Sequence, residues 1–270
     1  MDKYYWKLEP YKGQNSRFRC PKCNKSRQYT RFINADGEYA PYEYGICNRK
    51  DKCGYFNHPK GVKSSAPAFV YKEQTQEFIN WDNYNFGLDT DSGLVRLLIK
   101  RFGEQKVIET LKKYYVRTDG DFMIFPQVDR YNRLCYAKKM EYKGFNRSKY
   151  IYTPFKPNKG KFKQCLFGLH LYNPIYEIGV VEGEKTALYC AMEYPYKIWM
   201  ATGGEHLIKN IKAIPRATVY PDKGKAFKNW KKKLDRSMYE VDDIMERSSL
   251  PEGSDLADFI EQKYIKMSNY

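Results

Sequence analysis

The chain has 270 residues, of which 48 are lysine or arginine and 32 are aspartate or glutamate, so its formal net charge is +16. A charge of this size indicates a polyanionic partner, and nucleic acid is the first candidate. The sequence contains no run of about 18 apolar residues and begins without the apolar core of a signal peptide, which argues against a membrane protein and predicts a cytoplasmic one.

The first segment, residues 1–62, is predicted to be a small β-rich module with strands over 28–33 and 38–46. Four of the seven cysteines lie in it, as the pairs Cys20 with Cys23 and Cys47 with Cys53. Two such pairs separated by a hairpin can supply four thiolates to one tetrahedral ion, which is typical of a zinc ribbon. Four thiolates leave no open coordination position, so the expected Zn²⁺ is structural.

Two alternatives remain open for this module. The cysteines could be four unrelated reduced thiols, although so small a module has little core to stabilise it without a metal. His58 could replace one of the thiolates. Basic residues surround the cysteines and indicate contact with nucleic acid: Arg17, Arg19, Lys22, Lys25, Arg27, Arg49, Lys50 and Lys52.

Residues 63–75 are rich in Gly, Pro and Ser and are predicted to be a linker. The following segment, 76–172, is predicted to be an α+β subdomain. Apolar residues at helical spacing predict two helices over 93–103 and 104–115, and alternating residues predict an antiparallel hairpin of 121–129 with 133–142.

The second half of this subdomain is strongly basic. Residues 130–163 hold 11 lysine or arginine residues and a single acid, Glu141, interleaved with eight aromatic residues. Such a surface can follow a phosphate backbone while aromatic rings stack on bases, although most aromatic side chains in any fold fill the core. The candidate contacts are Lys138, Lys139, Arg147 and Lys149; the alternative is a solvated basic face without a partner. A second basic run covers 223–236.

From residue 173 to 270, apolar runs alternate with helical segments, which predicts a parallel sheet with crossover helices. Glu182 and Asp222 each follow a predicted strand, so both should emerge at the carboxyl edge of the sheet. Together with Asp255, and with Asp258 as a further oxygen donor, they could hold Mg²⁺. The alternative is that these acids are ordinary charges near helix N-termini. Gly203 and Gly204 precede a helix and could form a phosphate-binding turn.

The order of these motifs resembles a known family. The runs VVEGEKTAL, MATGGEHL, VYPDKG and GSDLADF resemble the toprim domain of bacterial-type primases and topoisomerases. Upstream, MIFPQVDRYNRL, RSKYIYTPFKP and CLFGLHLY resemble the amino-terminal half of a primase catalytic core, and the four-cysteine module stands where such primases carry a zinc-binding domain. Within the family, the chain is most similar to proteins of mobile elements and phages of Bacteroides-type bacteria.

The resemblance implies an α/β toprim domain, an α+β basic subdomain and an N-terminal zinc ribbon. Glu182 matches the family's glutamate, Asp222 matches the first aspartate of its metal-binding D-x-D motif, and Asp255 matches a later acid. Lys149 falls on the template ridge, and Lys185, within the first toprim run, is a candidate nucleotide contact. Gly224 stands where the second aspartate would be, which puts metal binding in question.

The leading hypothesis is a DNA-primase-like nucleotidyltransferase that binds single-stranded DNA and nucleoside triphosphates and uses Mg²⁺ or Mn²⁺. The alternatives are a toprim nuclease and a non-catalytic single-stranded-DNA-binding accessory factor of a replication or mobilisation complex. The sequence has no G-x-x-x-x-G-K-[ST] motif, so a replicative helicase would be a separate partner.

Overall fold

The computed structural model describes residues 5–69 and 75–267, and the chain divides into two compact units, Met1–Glu73 and Gln74–Tyr270. Residues 70–74 of the predicted linker lie outside the described part. The predicted boundary between 172 and 173 falls inside the second unit and stays a prediction.

The first unit contains a four-stranded antiparallel sheet with the strand order β1-β2-β3-β4. Tyr29 and the thiols of Cys20 and Cys47 form its small buried core. The predicted strand over 38–46 is mostly loop, and only its end belongs to a strand. The bounds are β1 (Lys7–Leu8), β2 (Tyr29–Ile33), β3 (Gly45–Cys47) and β4 (Phe56–Asn57).

The second unit begins with two amphipathic helices, α1 (Gly93–Phe102) and α2 (Glu104–Lys113), as the spacing predicts. Leu94, Leu98 and Leu111 on their apolar faces are fully buried. Gly103 separates the helices with a φ of 83°, a backbone conformation that favours glycine.

An antiparallel meander follows, with the order β6-β7-β8-β9. The predicted hairpin is confirmed: β7 and β8 pair through Val128 and Leu134, with a bulge next to the turn. The fourth strand was not predicted, because it is exposed on both faces and has no alternation of apolar and polar residues. The bounds are β6 (Arg117–Asp119), β7 (Phe122–Val128), β8 (Leu134–Lys143) and β9 (Asn146–Tyr152).

The predicted parallel sheet is also present, with the order β12-β11-β13-β14 and every neighbouring pair parallel. Its first and third crossovers are α-helices, whereas the second is a 3₁₀ helix over Glu205–Ala213. The bounds are β11 (Ile178–Val181), α3 (Glu184–Glu193), β12 (Ile198–Ala201), β13 (Ala217–Tyr220), α4 (Lys225–Lys233) and β14 (Tyr239–Val241).

The remaining elements are short or peripheral. A parallel pair of two-residue strands, β5 (Gln76–Glu77) and β10 (Lys161–Phe162), precedes the parallel sheet, and α5 (Ile244–Arg247) and α6 (Leu256–Met267) follow it. Helices α1, α2, α3 and α6 share one large apolar core with the meander and the parallel sheet. Among the described helices, none has the length and apolar composition that a bilayer-spanning segment needs.

Candidate functional site

The four cysteines of the first unit converge on one point. Their sulfur atoms all lie within 4.8 Å of one another, with 3.8 Å between Cys20 and Cys53 and 3.9 Å between Cys23 and Cys47. Tetrahedral Zn²⁺ with Zn–S bonds of about 2.3 Å places sulfurs about 3.8 Å apart. The donor set and its spacing therefore fit a structural Zn²⁺.

The surroundings of Cys23 favour the ionised form of its thiol, whereas burial raises the pKa of Cys47 to about 12. The Lys25 backbone N–H lowers the pKa of Cys23 to about 6, and a guanidinium nitrogen of Arg49 lies 3.7 Å from the same sulfur. His58 does not lie within ligand distance of the four sulfurs. Its ring packs against Phe32 with 5.0 Å between the ring centroids. The candidate ligand set is thus the four cysteine sulfurs.

In the second unit, Glu182 and Asp222 lie at the same edge of the parallel sheet. Glu182 follows β11 directly, Asp222 is separated from β13 by one proline, and these strands are neighbours with Val181 opposite Tyr220. Neighbouring strands are about 4.8 Å apart. The two carboxylates therefore emerge side by side, as the strand pattern predicts.

The electrostatics of this edge show that the acids are close enough to repel one another. Burial raises the pKa of Asp222 to about 8, and the charges of Glu182, Asp255 and Asp258 add to the shift. Burial also raises the pKa of Glu182, with contributions from Glu205 and Asp255. Repulsion among half-buried carboxylates is relieved by a cation, so the edge is suited to binding one.

Asp255 and Asp258 have a structural role at the start of α6. The Asp258 N–H donates to Asp255 Oδ1 at 3.0 Å, and the Asp255 N–H donates to Asp258 Oδ2 at 2.8 Å. This reciprocal arrangement is a capping box. Thr186 Oγ1 also donates to Asp255 Oδ2 at 2.7 Å, which ties α6 to α3.

The spacing of the acids has a consequence for metal binding. In residues 5–69 and 75–267, the four cysteines are the only group of three or more His, Cys, Asp or Glu residues whose ligand atoms all lie within 4.8 Å of one another. Glu182, Asp222 and Asp255 therefore do not form a contracted ligand shell. A cation shared by these acids would need waters in part of its coordination shell, as Mg²⁺ usually keeps.

Lys138, predicted to contact nucleic acid, lies in the interior. Its ammonium is 2.7 Å from Glu184 Oε1, and the two side chains are 7% and 5% exposed. The same ammonium donates to the carbonyl oxygen of Gly203. Because its charge is paired with a buried carboxylate, Lys138 does not belong to the exposed basic surface.

The glycine turn packs tightly against this ion pair. Gly203 has a φ of 81°, and a Cβ on it would lie 2.6 Å from Lys138 Nζ and 2.9 Å from Glu184 Oε1. Gly204 has a φ of 148° and precedes the 3₁₀ helix. Close packing against Lys138 and Glu184 thus explains the glycine at position 203.

Lys185 lies among the acids. Its ammonium is 3.4 Å from the centroid of the Phe145 ring, which belongs to the turn between β8 and β9. Burial lowers the pKa of Lys185, while the charges of Asp255, Asp258 and Asp222 oppose that shift. Lys185 therefore offsets part of the negative charge at the edge of the sheet.

The other predicted nucleic-acid contacts lie on the meander. Arg147 and Lys149 on β9 are exposed, as is Tyr150 at 65%. Lys139 on β8 pairs with Asp119, so its charge is partly offset. β9 therefore carries the exposed aromatic and basic side chains that the composition predicts.

Sequence reasoning missed three acidic residues around this site. Glu184 pairs with Lys138, Glu246 Oε1 accepts a hydrogen bond of 2.6 Å from the Gly224 N–H, and Glu252 packs against Gly224. The run EGEK could have indicated Glu184, because it places a second acid two residues after Glu182. No local signal in the sequence indicates Glu246 or Glu252.

Two family models match the chain, each over less than half of it. One, described as a zinc beta-ribbon finger, matches residues 4–68, and the other, a domain of unknown function (DUF6371), matches residues 92–223. The chain therefore contains a zinc ribbon. A search of curated proteins gave no match.

The structural neighbours of the chain are primase domains. The primase fragment of the bacteriophage T7 primase-helicase protein matches 93% of this chain and 97% of its own length, with 13% identity and a TM-score of 0.44. The zinc-binding and RNA polymerase domains of Aquifex aeolicus primase match 66% and 47%, with 16% identity and a TM-score of 0.36. A DNA primase domain from Pseudomonas aeruginosa matches 61% and 58%, with 20% identity and a TM-score of 0.34.

Proposed function

We propose that this chain is a primase-like nucleotidyltransferase of the toprim type, which binds a single-stranded DNA template and joins nucleotides from nucleoside triphosphates. The observation that carries the proposal is the placement of Glu182 and Asp222 after neighbouring parallel strands, where burial and then the charge of Glu182 raise the pKa of Asp222. That arrangement favours a divalent cation and, through it, a triphosphate.

In this proposal Mg²⁺ or Mn²⁺, when bound, would offset the charge that develops on the leaving pyrophosphate. Glu182 and Asp222 would hold the ion, directly or through water, with Asp255 as a further oxygen donor. Lys185 would limit the repulsion between these acids and the incoming phosphates. The exposed residues Arg147 and Lys149 of β9 would contact the template backbone.

The proposal is tested by template-dependent incorporation of labelled nucleotides on single-stranded DNA, with Mg²⁺ or Mn²⁺ and no helicase. We expect the wild-type chain to make short products and Glu182→Gln and Asp222→Asn to make none. Glu177→Gln is the matched control. Glu177 lies just before the amino end of β11, whereas Glu182 follows the carboxyl end, and the Glu177 side chain is 73% exposed. Equal incorporation by Glu182→Gln and the wild type would refute the proposed site.

A second candidate is a non-catalytic strand-binding accessory factor of a mobile-element or phage replication complex. Gly224 favours it, because this position lacks the carboxylate of the D-x-D motif that the sequence resembles. This candidate predicts template binding without incorporation in the wild type.

A nuclease would use the same acids, and degradation of the labelled template in place of extension would identify it. In either case, the replicative helicase would be a separate protein.

A further inference from the structure

Two cysteines outside the zinc module lie side by side in the second unit. Cys135 is the second residue of β8, and Cys165 lies between β10 and the parallel sheet. Their thiols are in hydrogen-bond contact, which is the main cause of a lowered pKa for Cys135 and a raised pKa for Cys165. The seven cysteines of the chain thus divide into four candidate zinc ligands, this pair and the fully buried Cys190.

Two glutamines bring these cysteines together independently of the contact between the thiols. Gln127 lies on β7, the neighbour of β8 in the meander, and its Oε1 accepts a hydrogen bond of 3.1 Å from the Cys165 N–H. Gln76 on β5 lies opposite Lys161 of β10, and its Nε2 is 4.0 Å from Cys135 Sγ. The segment that carries Cys165 is therefore fixed beside the start of β8.

The pair combines a reactive sulfur with access from solvent. Cys135 is 2% exposed, whereas Cys165 is partly exposed, so a water-sized oxidant can reach the pair from the side of Cys165. The hydrogen bond from Cys165 favours the thiolate of Cys135, and the thiolate is the form that a peroxide oxidises. Cys165 is then the neighbouring thiol that can attack the oxidised sulfur.

We propose that hydrogen peroxide converts Cys135 and Cys165 into a reversible disulfide, which links β8 to the segment that enters the parallel sheet. In the first step the Cys135 thiolate attacks a peroxide oxygen, the O–O bond breaks, and the departing hydroxide takes up a proton to give water and a sulfenic acid. In the second step the Cys165 sulfur attacks the Cys135 sulfur, the S–O bond breaks and a second water leaves. The two thiols lose two electrons and two protons, and one peroxide is reduced to two waters.

The cross-link acts on the joint between the meander and the parallel sheet. Gln127, which binds the Cys165 backbone, also lies beside the glycine turn, since its Nε2 would be 3.2 Å from a Cβ on Gly203. The disulfide closes a loop of about 30 residues, which restricts the unfolded chain and stabilises the folded one. Peroxide thus holds the two sheets together more firmly, and this proposal does not depend on the proposed function.

The test is peroxide treatment of the full-length, zinc-loaded chain, followed by alkylation of free thiols, trypsin digestion and mass spectrometry without a reductant. Trypsin releases Cys135 in the peptide 134–138 and Cys165 in the peptide 164–185. At peroxide doses that release no Zn²⁺, we expect these peptides to be joined, with a mass about 2 Da below their sum. Cys190→Ala is the matched control and should give the same product, whereas Cys165→Ser should give only a sulfenic acid on Cys135, which dimedone traps.

The oxidised wild type should also melt at a higher temperature than the reduced protein, and dithiothreitol should restore both thiols and the lower Tm. If both cysteines remain open to alkylation until Zn²⁺ is released, or if either one pairs with a different cysteine, the proposed redox pair is refuted. A cross-link that leaves Tm unchanged would refute its stabilising effect. Circular dichroism of Cys165→Ser before oxidation shows whether it is folded; because Cys165 is partly exposed, we expect a native spectrum.

Discussion

The buried ion pair between Lys138 and Glu184 joins the meander to the parallel sheet beside the candidate site. Lys138 is on β8, Glu184 is the first residue of α3, and the Lys138 ammonium also binds the Gly203 carbonyl. The composition predicted Lys138 as a nucleic-acid contact. Sequence could not reveal its burial, because its two partners lie 46 and 65 residues away in the chain.

Replacing Lys138 by Met should therefore act on stability. The change leaves Glu184 buried without a counter-charge, which costs about 3–5 kcal/mol. Urea unfolding of the wild type and Lys138→Met measures the loss, and adding Glu184→Gln should recover part of it. A variant of unchanged stability with weaker DNA binding would contradict the structural role.

A second residue makes stability depend on pH. His170 stacks on Tyr115 with 4.8 Å between the ring centroids, and its Nε2 lies 3.0 Å from the Lys113 carbonyl oxygen. Burial lowers the pKa of His170 below its usual value of 6.5, so below about pH 6.5 the unfolded chain binds the proton more readily than the folded chain.

The contribution of His170 to the free energy of unfolding should thus fall as the pH drops through about 6.5. His170→Gln removes this contribution, so between about pH 7.5 and pH 5.5 the variant should lose less stability than the wild type does. Urea unfolding at the two pH values gives the comparison. Identical losses in both proteins would show that His170 does not contribute.

At the scale of secondary-structure elements, the periodicity of apolar residues predicted the helices and strands that bury one face. It missed the strand that is exposed on both faces. Helices α1 and α2 and the hairpin of β7 and β8 end within two residues of their predicted bounds, because each buries one apolar face. β9 was predicted only as a basic stretch. An edge strand with both faces in solvent has no reason to alternate, so its sequence carries no strand signal.

The exposed charges of β9 give a prediction about nucleic-acid binding. Arg147→Ala with Lys149→Ala should weaken single-stranded DNA binding and reduce the slope of log K against log salt by up to about 1.4, since each phosphate contact on single strands contributes about 0.7. Fluorescence anisotropy at several salt concentrations measures the slope. Lys112→Ala with Lys113→Ala at the end of α2 removes the same charge and serves as the control.

If both double variants lower the slope equally, the effect reflects net charge, and β9 is not the template surface. If only the β9 variant lowers it, the assignment of Arg147 and Lys149 is supported. Lys139 is left unchanged in this comparison because it pairs with Asp119.

At the scale of the whole molecule, the zinc ribbon and the second unit should respond differently to a chelator. The first unit has only a small core around Cys20, Tyr29 and Cys47, so its fold depends on the metal. Removing Zn²⁺ should expose the amides of residues 5–69 to hydrogen exchange while those of 75–267 keep their protection. Unchanged exchange in the first segment would contradict a structural metal.

The order of motifs along the chain predicted the architecture well, since the cysteine pairs and the alternation of strands and helices are local patterns. The candidate site was predictable only in part. Glu182 and Asp222 could be found because acids that follow parallel strands share one edge. The position of Glu252 beside Gly224 could not be predicted, because it depends on hydrogen bonds from Lys223 and Gly253 that no local pattern encodes.

The central claim is that Glu182 and Asp222 share one divalent ion at the edge of the parallel sheet. Anomalous diffraction from crystals soaked in Mn²⁺ tests it most directly. The account predicts a manganese peak next to these two carboxylates in the wild type and no peak there in Asp222→Asn. A wild-type crystal with manganese bound elsewhere, and none between Glu182 and Asp222, would contradict it.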